Sequence, residues 1–389
     1  EMENPGRAVA AHFVYPAQLM PLVEVCGGEK TALEVIEWTC QFLKSVGQTS
    51  ALMDKEVDGF IVNRLQFAII REAWSMWANG IASAEAELAV NGITTGVMAQ
   101  FYSWEGGLRG AEFADQMLSA LAQVQGEVIT DLRSQLRFET HMLDDYAEFE
   151  NLVEKHNVSY VVFNDHIQHE RLEKGLVPRR LNGMALKSRR SPETLHKQLQ
   201  KMHDDRGLVP AAVSALAGRL AAKGVRLGSH DDRSREDRAF WSGAGVTLAE
   251  FPETLEAGEA AGESGAGVIL GAPNVVRGGS HNGNVSAVDL IAMGHCHALA
   301  SDYHYPSLRK AAFFVEEAGL RDLAGAWALV SSGPARLLGL EDRGTLEAGR
   351  RADMMIVDAQ TKRIAATIAG GRVSHMSGDI AARFIQSGS

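Results

Sequence analysis

Four side chains carry the most legible chemistry in this sequence: Glu139 in RFET, His166 in VVFNDH, His230 in LGSHDD and Asp302 in LASDYHYPSL. Each closes or follows a short apolar run, the pattern of a strand that ends in a polar residue. Barrel enzymes gather their reactive groups at the C-terminal ends of parallel strands, so a carboxylate, two imidazoles and a second carboxylate placed this way can converge on one ion. Zinc accepts imidazole nitrogen and carboxylate oxygen, and a catalytic site leaves a position for water whose pKa the ion depresses toward neutrality. SHDD or NDH alone is a weak signal, because a single histidine is more often an ordinary polar or core residue. The ordered set of four is the stronger one. Of the remaining histidines, which include His141, His169, His281 and His304, the pair His295 and His297 has the spacing of one strand face, but AMGHCHALA reads better as a helix end or loop.

A second group lies in VILGAPNVVRGGSHNGNVSA, residues 268–287. A strand leading into a glycine-rich loop can bring backbone N–H groups close to phosphate oxygens while an arginine neutralises them. Asn274, Arg277, Ser280 and His281 are therefore the expected substrate contacts, and a small phosphorylated molecule the expected partner.

Positioning these residues requires alternating strands and helices. Apolar runs at 93–97, 136–139, 160–163, 225–229, 268–271 and 299–302, separated by longer amphipathic stretches, predict an α/β fold with a parallel sheet or barrel. Residues 168–191, with Arg171, Lys174, Arg179, Arg180, Lys187, Arg189 and Arg190, read as a long polar insertion, either a solvated surface or an anion-binding lid. The first 86 residues have a different texture. AHFVYPAQLMPLVEV predicts a strand, a Pro-bounded loop and a second extended segment; a helix then runs to Gly47, with Thr31 as its N-cap and Glu34 completing a capping box. DGFIVNRLQFAIIREAWSMWANG predicts a longer helix over 58–80.

The 389 residues exceed the size at which one core keeps growing, and 46% hydrophobic with 22% charged residues is a soluble globular composition. A net charge of −11 argues against nucleic-acid binding, and no apolar stretch reaches the roughly 20 residues that span a bilayer. Cys26, Cys40 and Cys296 form no zinc-finger spacing and no signal peptide is seen, so a reducing cytoplasm is the expected location. The start at Glu1 suggests a processed or truncated N-terminus.

GVRLGSHDD, GVTLAEFPETLEAGEAA, GVILGAPNVVRGGSHNGNVSA and LASDYHYPSLRKAAF resemble the amidohydrolase-superfamily diphosphatases of the carbon–phosphorus lyase pathway. GPARLLGL, DRGTLEAGRRADMMIVD and ATIAGGRVSHMSG resemble the ending of amidohydrolases generally, where the chain returns to a small β-sandwich. The resemblance implies hydrolysis of a ribose methylphosphonate 5-triphosphate to pyrophosphate and the 5-phosphate. It implies Glu139 as a metal-bridging carboxylate, His166 and His230 as ligands of one ion, zinc or manganese, and Asp302 as ligand and general base of another. The family's first strand carries a His-X-Asp or His-X-His pair after half of the β-sandwich; neither is found, so one ion and reduced or absent activity are expected. A barrel that binds a phosphorylated ligand without turnover is the non-enzymatic alternative.

In the missing place, AAHFVYPAQLMPLVEV and DGFIVNRLQFAIIREAW resemble the 3-hydroxyacyl-CoA dehydrogenase family near its lambda-crystallin and carnitine dehydrogenase branches. The resemblance implies His12 as catalytic histidine, Glu24 as its orienting carboxylate and Asn63 as a substrate contact. A histidine held by a carboxylate can take a hydroxyl proton during hydride transfer, but no GxGxxG unit precedes His12, so NAD binding is not expected. The chain thus divides into a mainly helical dehydrogenase-like appendage (1–86), an incomplete TIM-like (β/α) barrel lacking its first strand (87–335) and a C-terminal β-sandwich segment with a tail (336–389). An open barrel exposes strand edges, which the appendage, a chaperone or a second copy in a homo-oligomer must cover.

Overall fold

The computed structural model describes residues 4–13, 22–53, 84–278 and 285–387. The chain separates into two compact units, Glu1–Ala82 and Ser83–Ser389.

In the first unit, β1 (Val9–Phe13) pairs antiparallel with β2 (Leu22–Gly27), and β2 pairs parallel with β3 (Thr49–Met53). Helix α1 (Leu33–Ser45) connects β2 to β3, and its Leu43, Ile36 and Cys40 pack on Val23 and Val25. Thr31 does not cap this helix. The N-cap is Ala32, without a side-chain bond, and the Thr31 hydroxyl instead donates to Ala8 O at 2.6 Å and accepts from Gly28 N–H at 2.8 Å, tying the turn after β2 to the entry of β1. The helix expected over 58–80 lies outside the described residues.

The second unit opens with α2 (Ala84–Val90) and builds a parallel sheet from β4 (Thr95–Tyr102), β5 (Asp131–Glu139), β6 (Tyr160–Asn164), β7 (Arg226–His230), β8 (Leu248–Glu250), β9 (Gly267–Gly271) and β10 (Ala298–Ala300). Each strand pairs with the next in sequence, giving the order β10-β9-β8-β7-β6-β5-β4. Among the described residues β4 and β10 are edges. Seven parallel strands in chain order, each joined to the next by helical crossovers, form an incomplete (β/α) barrel.

The crossovers are α3 (Ala111–Val124) after β4, α4 (Tyr146–Lys155) after β5, and α5 (His169–Glu173), α6 (Leu181–Lys187), α7 (Pro192–Asp204) and α8 (Val209–Ala222) after β6. Then come α9 (Arg235–Gly243), α10 (Leu255–Glu263), α11 (Ala272–Arg277), α12 (Ala287–Ala292), α13 (Ser307–Glu317), α14 (Leu323–Ala328) and α15 (Ser332–Leu337). Several start where the sequence supplies a cap: Ser191 before Pro192 at α7, Thr254 at α10, and a full Ser234/Asp237 capping box at α9. Strand β6 is buried throughout, and Val268, Leu270, Leu290, Leu299, Ala311 and Val315 join sheet and helices in one core. The C-terminal segment forms an antiparallel sheet, β11 (Met354–Val357), β12 (Ile364–Ala369) and β13 (Arg372–Met376), followed by α16 (Gly378–Ser387). Helix α2 packs on it through Thr367 Oγ1, which donates to Ala89 O at 2.7 Å. Among the described residues no helix is long and apolar enough to cross a membrane.

Candidate metal centre

Successive side chains of a strand point to opposite faces, so Gln135, Arg137 and Glu139 share one face of β5 while Leu136 and Phe138 turn to the other. Glu139, the last residue of β5, is completely buried. Its Oε2 accepts from the Trp104 indole N–H at 3.2 Å and from the backbone N–H of His166 at 3.1 Å, and its Oε1 stands 2.5 Å from His166 Nδ1. Burial alone would lower the His166 pKa, but the hydrogen bond and charge of Glu139 outweigh it and hold that imidazole above its ordinary value. His230, the last residue of β7, has its ring centre 6.3 Å from that of His166 and makes a T-shaped contact with Phe251.

His230 Nε2 is buried without a hydrogen bond, while Nδ1 has Asp231 Oδ1 at 3.0 Å. The amide of Asn164, beside Glu139 in the β5–β6 register, is likewise buried with neither its nitrogen nor its oxygen bonded. Unpaired buried polar atoms are costly and rare in folded proteins, and here they gather around one carboxylate. Two imidazoles on one tetrahedral ion with bonds of about 2.0–2.1 Å have ring centres about 5 Å apart, so at 6.3 Å the two rings would have to close by about 1 Å to share an ion. Glu139 and His166 are in direct contact, and His230 stands across from them at the end of the neighbouring strand β7, without drawing its ligand atoms as close as those of His141, Asp165 and His169.

Around them lie residues that the sequence did not single out. Glu250, at the end of β8, accepts from Gln135 and Tyr160 at 2.6 Å each and from Arg137 at 3.1 Å. Burial, then the charge of Glu250, pushes the Tyr160 pKa well up, so this phenol stays protonated and donates. The Arg137 guanidinium lies 5.6 Å from the Phe101 ring centre and 5.9 Å from that of Phe251. Two signals were available: the alternation of Gln135, Arg137 and Glu139, and Glu250 at the end of its own short apolar run. Asp231, Phe251 and Asp302, all just past strand ends, hold φ of 61°, 54° and 51°, a left-handed backbone that non-glycine residues seldom adopt and that clusters at functional sites.

The other expected residues have different settings. Asp302 is exposed, two residues beyond β10. Residues 272–277, read from sequence as the start of a glycine loop, are the helix α11, because Pro273 suits a first helical turn. On it Asn274 braces the chain, accepting from Ala287 N–H at 3.2 Å, and Arg277 is exposed with its Nε donating to Pro273 O at 3.2 Å. Ser280, His281 and Asn63 lie outside the described residues. In the first unit His12 and Glu24 face each other across β1 and β2, with His12 Nδ1 3.0 Å from the buried Glu24 carboxylate. The insertion after β6 spends two of its cations on main-chain carbonyls: Arg171 donates to Val177 O at 2.8 Å, and Arg190 to Trp104 O at 2.6 Å.

Comparison with known proteins places these observations. The chain is 32% identical over 297 residues to alpha-D-ribose 1-methylphosphonate 5-triphosphate diphosphatase of Escherichia coli K12, covering 74% of this chain and 77% of that protein. It belongs to that diphosphatase family. Residues 1–57 match the model of the 3-hydroxyacyl-CoA dehydrogenase NAD-binding domain. L-carnitine dehydrogenase of Streptomyces griseus is 38% identical over 147 residues, but the match spans 37% of its length, about a third of that protein. Among solved structures, a beta-aspartyl dipeptidase of Fervidobacterium islandicum AW-1 aligns with a TM-score of 0.48 at 14% identity, over 77% of this chain and 78% of that one. The diphosphatase match is long enough to account for the larger unit, and the N-terminal residues are similar to part of the dehydrogenases.

Proposed function

We propose that the second unit is a metal-dependent hydrolase of phosphoanhydrides whose substrate is the ribose methylphosphonate 5-triphosphate named for its Escherichia coli relative, with release of pyrophosphate. The observation that carries this reading is the placement of Glu139, His166 and His230 at or just past the ends of neighbouring parallel strands, with Glu139 paired to His166 and His230 Nε2 buried and unbonded. Those three residues would hold one divalent ion, zinc or manganese, and a bound ion supplies Lewis acidity and makes water a nucleophile near neutral pH. Trp104 fixes the Glu139 carboxylate from one side, and the Glu250–Arg137 pair sets a cation beneath the same rim. Asp302 is assigned the proton from the attacking water, and Arg277 the charge on the departing phosphates. Without a first-strand ligand pair the unit holds one ion, and turnover is lower than in a complete family member.

The test is pyrophosphate release from the triphosphate by the purified chain supplied with zinc or manganese, beside Glu139→Gln and His230→Ala. Release by the unaltered chain that falls at least about 100-fold in either variant supports the reading, a loss of the size expected when a transition-state interaction is removed. Equal rates in all three would sink it.

The 3.0 Å His12–Glu24 pair favours a second reading, in which the first unit descends from a dehydrogenase. NAD titration by fluorescence checks whether any cofactor binding remains, and saturable binding would revive that activity.

A further inference from the structure

Outside the barrel interior a second group of ligating atoms converges. His141 comes from the turn after β5, Asp165 from the turn after β6, and His169 from the first turn of α5, where the insertion begins. His169 Nε2 stands 3.1 Å from Asp165 Oδ2, His141 Nδ1 stands 3.5 Å from Asp165 Oδ1, and one ligand atom from each residue lies within 4.8 Å of the others. Ligand atoms around a tetrahedral ion with bonds of about 2.0–2.1 Å are themselves about 3.3 Å apart, so little movement is needed to close on a cation. Asp165 and His166 are consecutive but serve different groups, His166 turning to Glu139 and Asp165 to the two histidines.

A third histidine completes the arrangement from behind. His203, near the end of α7, is 3% exposed, and its Nδ1 is 2.8 Å from His169 Nδ1. With the proton on His169 Nδ1 and donated to His203, His169 Nε2 presents its lone pair toward Asp165 and His141. That is the support a metal-bound imidazole usually has, its second nitrogen held by an outer partner.

We propose that His141, Asp165 and His169 form a second divalent-cation site, filled by zinc, that fastens the helical stretch 168–208, which contains the insertion, to the ends of β5 and β6. Two imidazoles and one carboxylate are a zinc donor set, and the partial exposure of Asp165 and His169, 39% and 25%, leaves the fourth position to water. The ion joins α5 directly and α7 through His203, so the inserted helices are anchored to the sheet. This site does not depend on the hydrolase reading.

The test is zinc content by elemental analysis after equilibrium dialysis of the whole chain against buffered zinc, for the unaltered protein, His169→Ala, His203→Gln and His230→Ala. The expected result is one zinc fewer in His169→Ala, and zinc affinity about 10–100-fold weaker in His203→Gln, the usual effect of losing an outer partner. In His230→Ala the insertion site stays filled. If the hydrolase centre binds nothing, the unaltered chain holds one zinc, kept in His230→Ala and lost in His169→Ala, so the two ideas fail separately. Cobalt gives a second readout: a visible absorption band of a four-coordinate ion present in His230→Ala and absent in His169→Ala. Zinc also protects residues 168–208 from limited proteolysis only where His169 is kept. Equal zinc content and equal cobalt spectra with and without His169 would overturn the site.

Discussion

The residues beyond the strand ends show how strongly one buried charge can fix local structure. Two positions after His230, Asp232 is almost fully buried; its Oδ2 receives the Arg238 guanidinium at 2.9 Å and the Ser229 hydroxyl at 2.7 Å, and Arg238 is itself 1% exposed. Burial raises the Asp232 pKa, and Arg238 pulls it back. Arg238→Ala is expected to destabilise the second unit by about 3–5 kcal/mol at neutral pH, because it strands a buried carboxylate. The double change Asp232→Leu with Arg238→Met is expected to cost much less, since both desolvated charges leave together. Urea unfolding of the two variants decides this, and a double variant as unstable as Arg238→Ala would show that the pair sets packing beyond its charges. The SHDD motif marked this place in the sequence, but only His230 was read from it: an aspartate whose partner is an arginine six residues on, across a turn, leaves no periodic trace.

Elements were legible where their composition left one solution. The runs at 160–163 and 268–271 became β6 and β9 with little change, since continuous apolar stretches between helices belong to strands covered on both faces. Strand β8 was missed because Leu-Ala-Glu is too short to show any period, and β3 because Thr-Ser-Ala-Leu-Met mixes strand and helix formers. Two contacts between elements can be tested. A methyl group on Gly96 of β4 would meet Leu88 Cδ1 of α2 at 2.6 Å, so Gly96→Ala is expected to lower stability by about 1–3 kcal/mol by forcing the helix away, and Leu88→Ala in the same chain to recover part of the loss. At the start of β5, Asp131 receives Arg343 at 2.5 Å, which ties the C-terminal segment to the sheet. Burial opposes ionisation of Asp131, but Arg343 and Arg133 outweigh it and hold its pKa below the usual range. A carboxylate depressed in the fold adds stability that is complete above its unfolded pKa of about 3.9 and is lost as pH falls through the folded value. The difference in unfolding free energy between the unaltered chain and Asp131→Asn should therefore be constant near neutrality and narrow below about pH 4. A gap that persists unchanged to pH 2 would assign it to packing.

At the scale of the molecule, the chain resembles two different families and its two units have separate cores. Calorimetry is expected to resolve two unfolding transitions, of which zinc shifts only that of the second unit, because the candidate ligands all belong to it. A single transition that moves as a whole with zinc would show that the units unfold together. In the sequence both resemblances break off near residue 86, whereas the zinc cluster left no such mark: His141, Asp165, His169 and His203 are scattered and meet only because the insertion folds back.

The order of the seven parallel strands has a consequence for how the chain is made. Every strand of that sheet pairs with the one synthesised just before it, and among the described residues none returns to an earlier partner. Each βα unit emerging from a ribosome can dock on an edge that already exists, so the sheet can grow vectorially through contacts of short sequence separation. A closed barrel must wait for its last strand to find its first; the described strands have no such step, and nascent chains arrested after β7 should already protect the amides of β5 and β6 from hydrogen exchange.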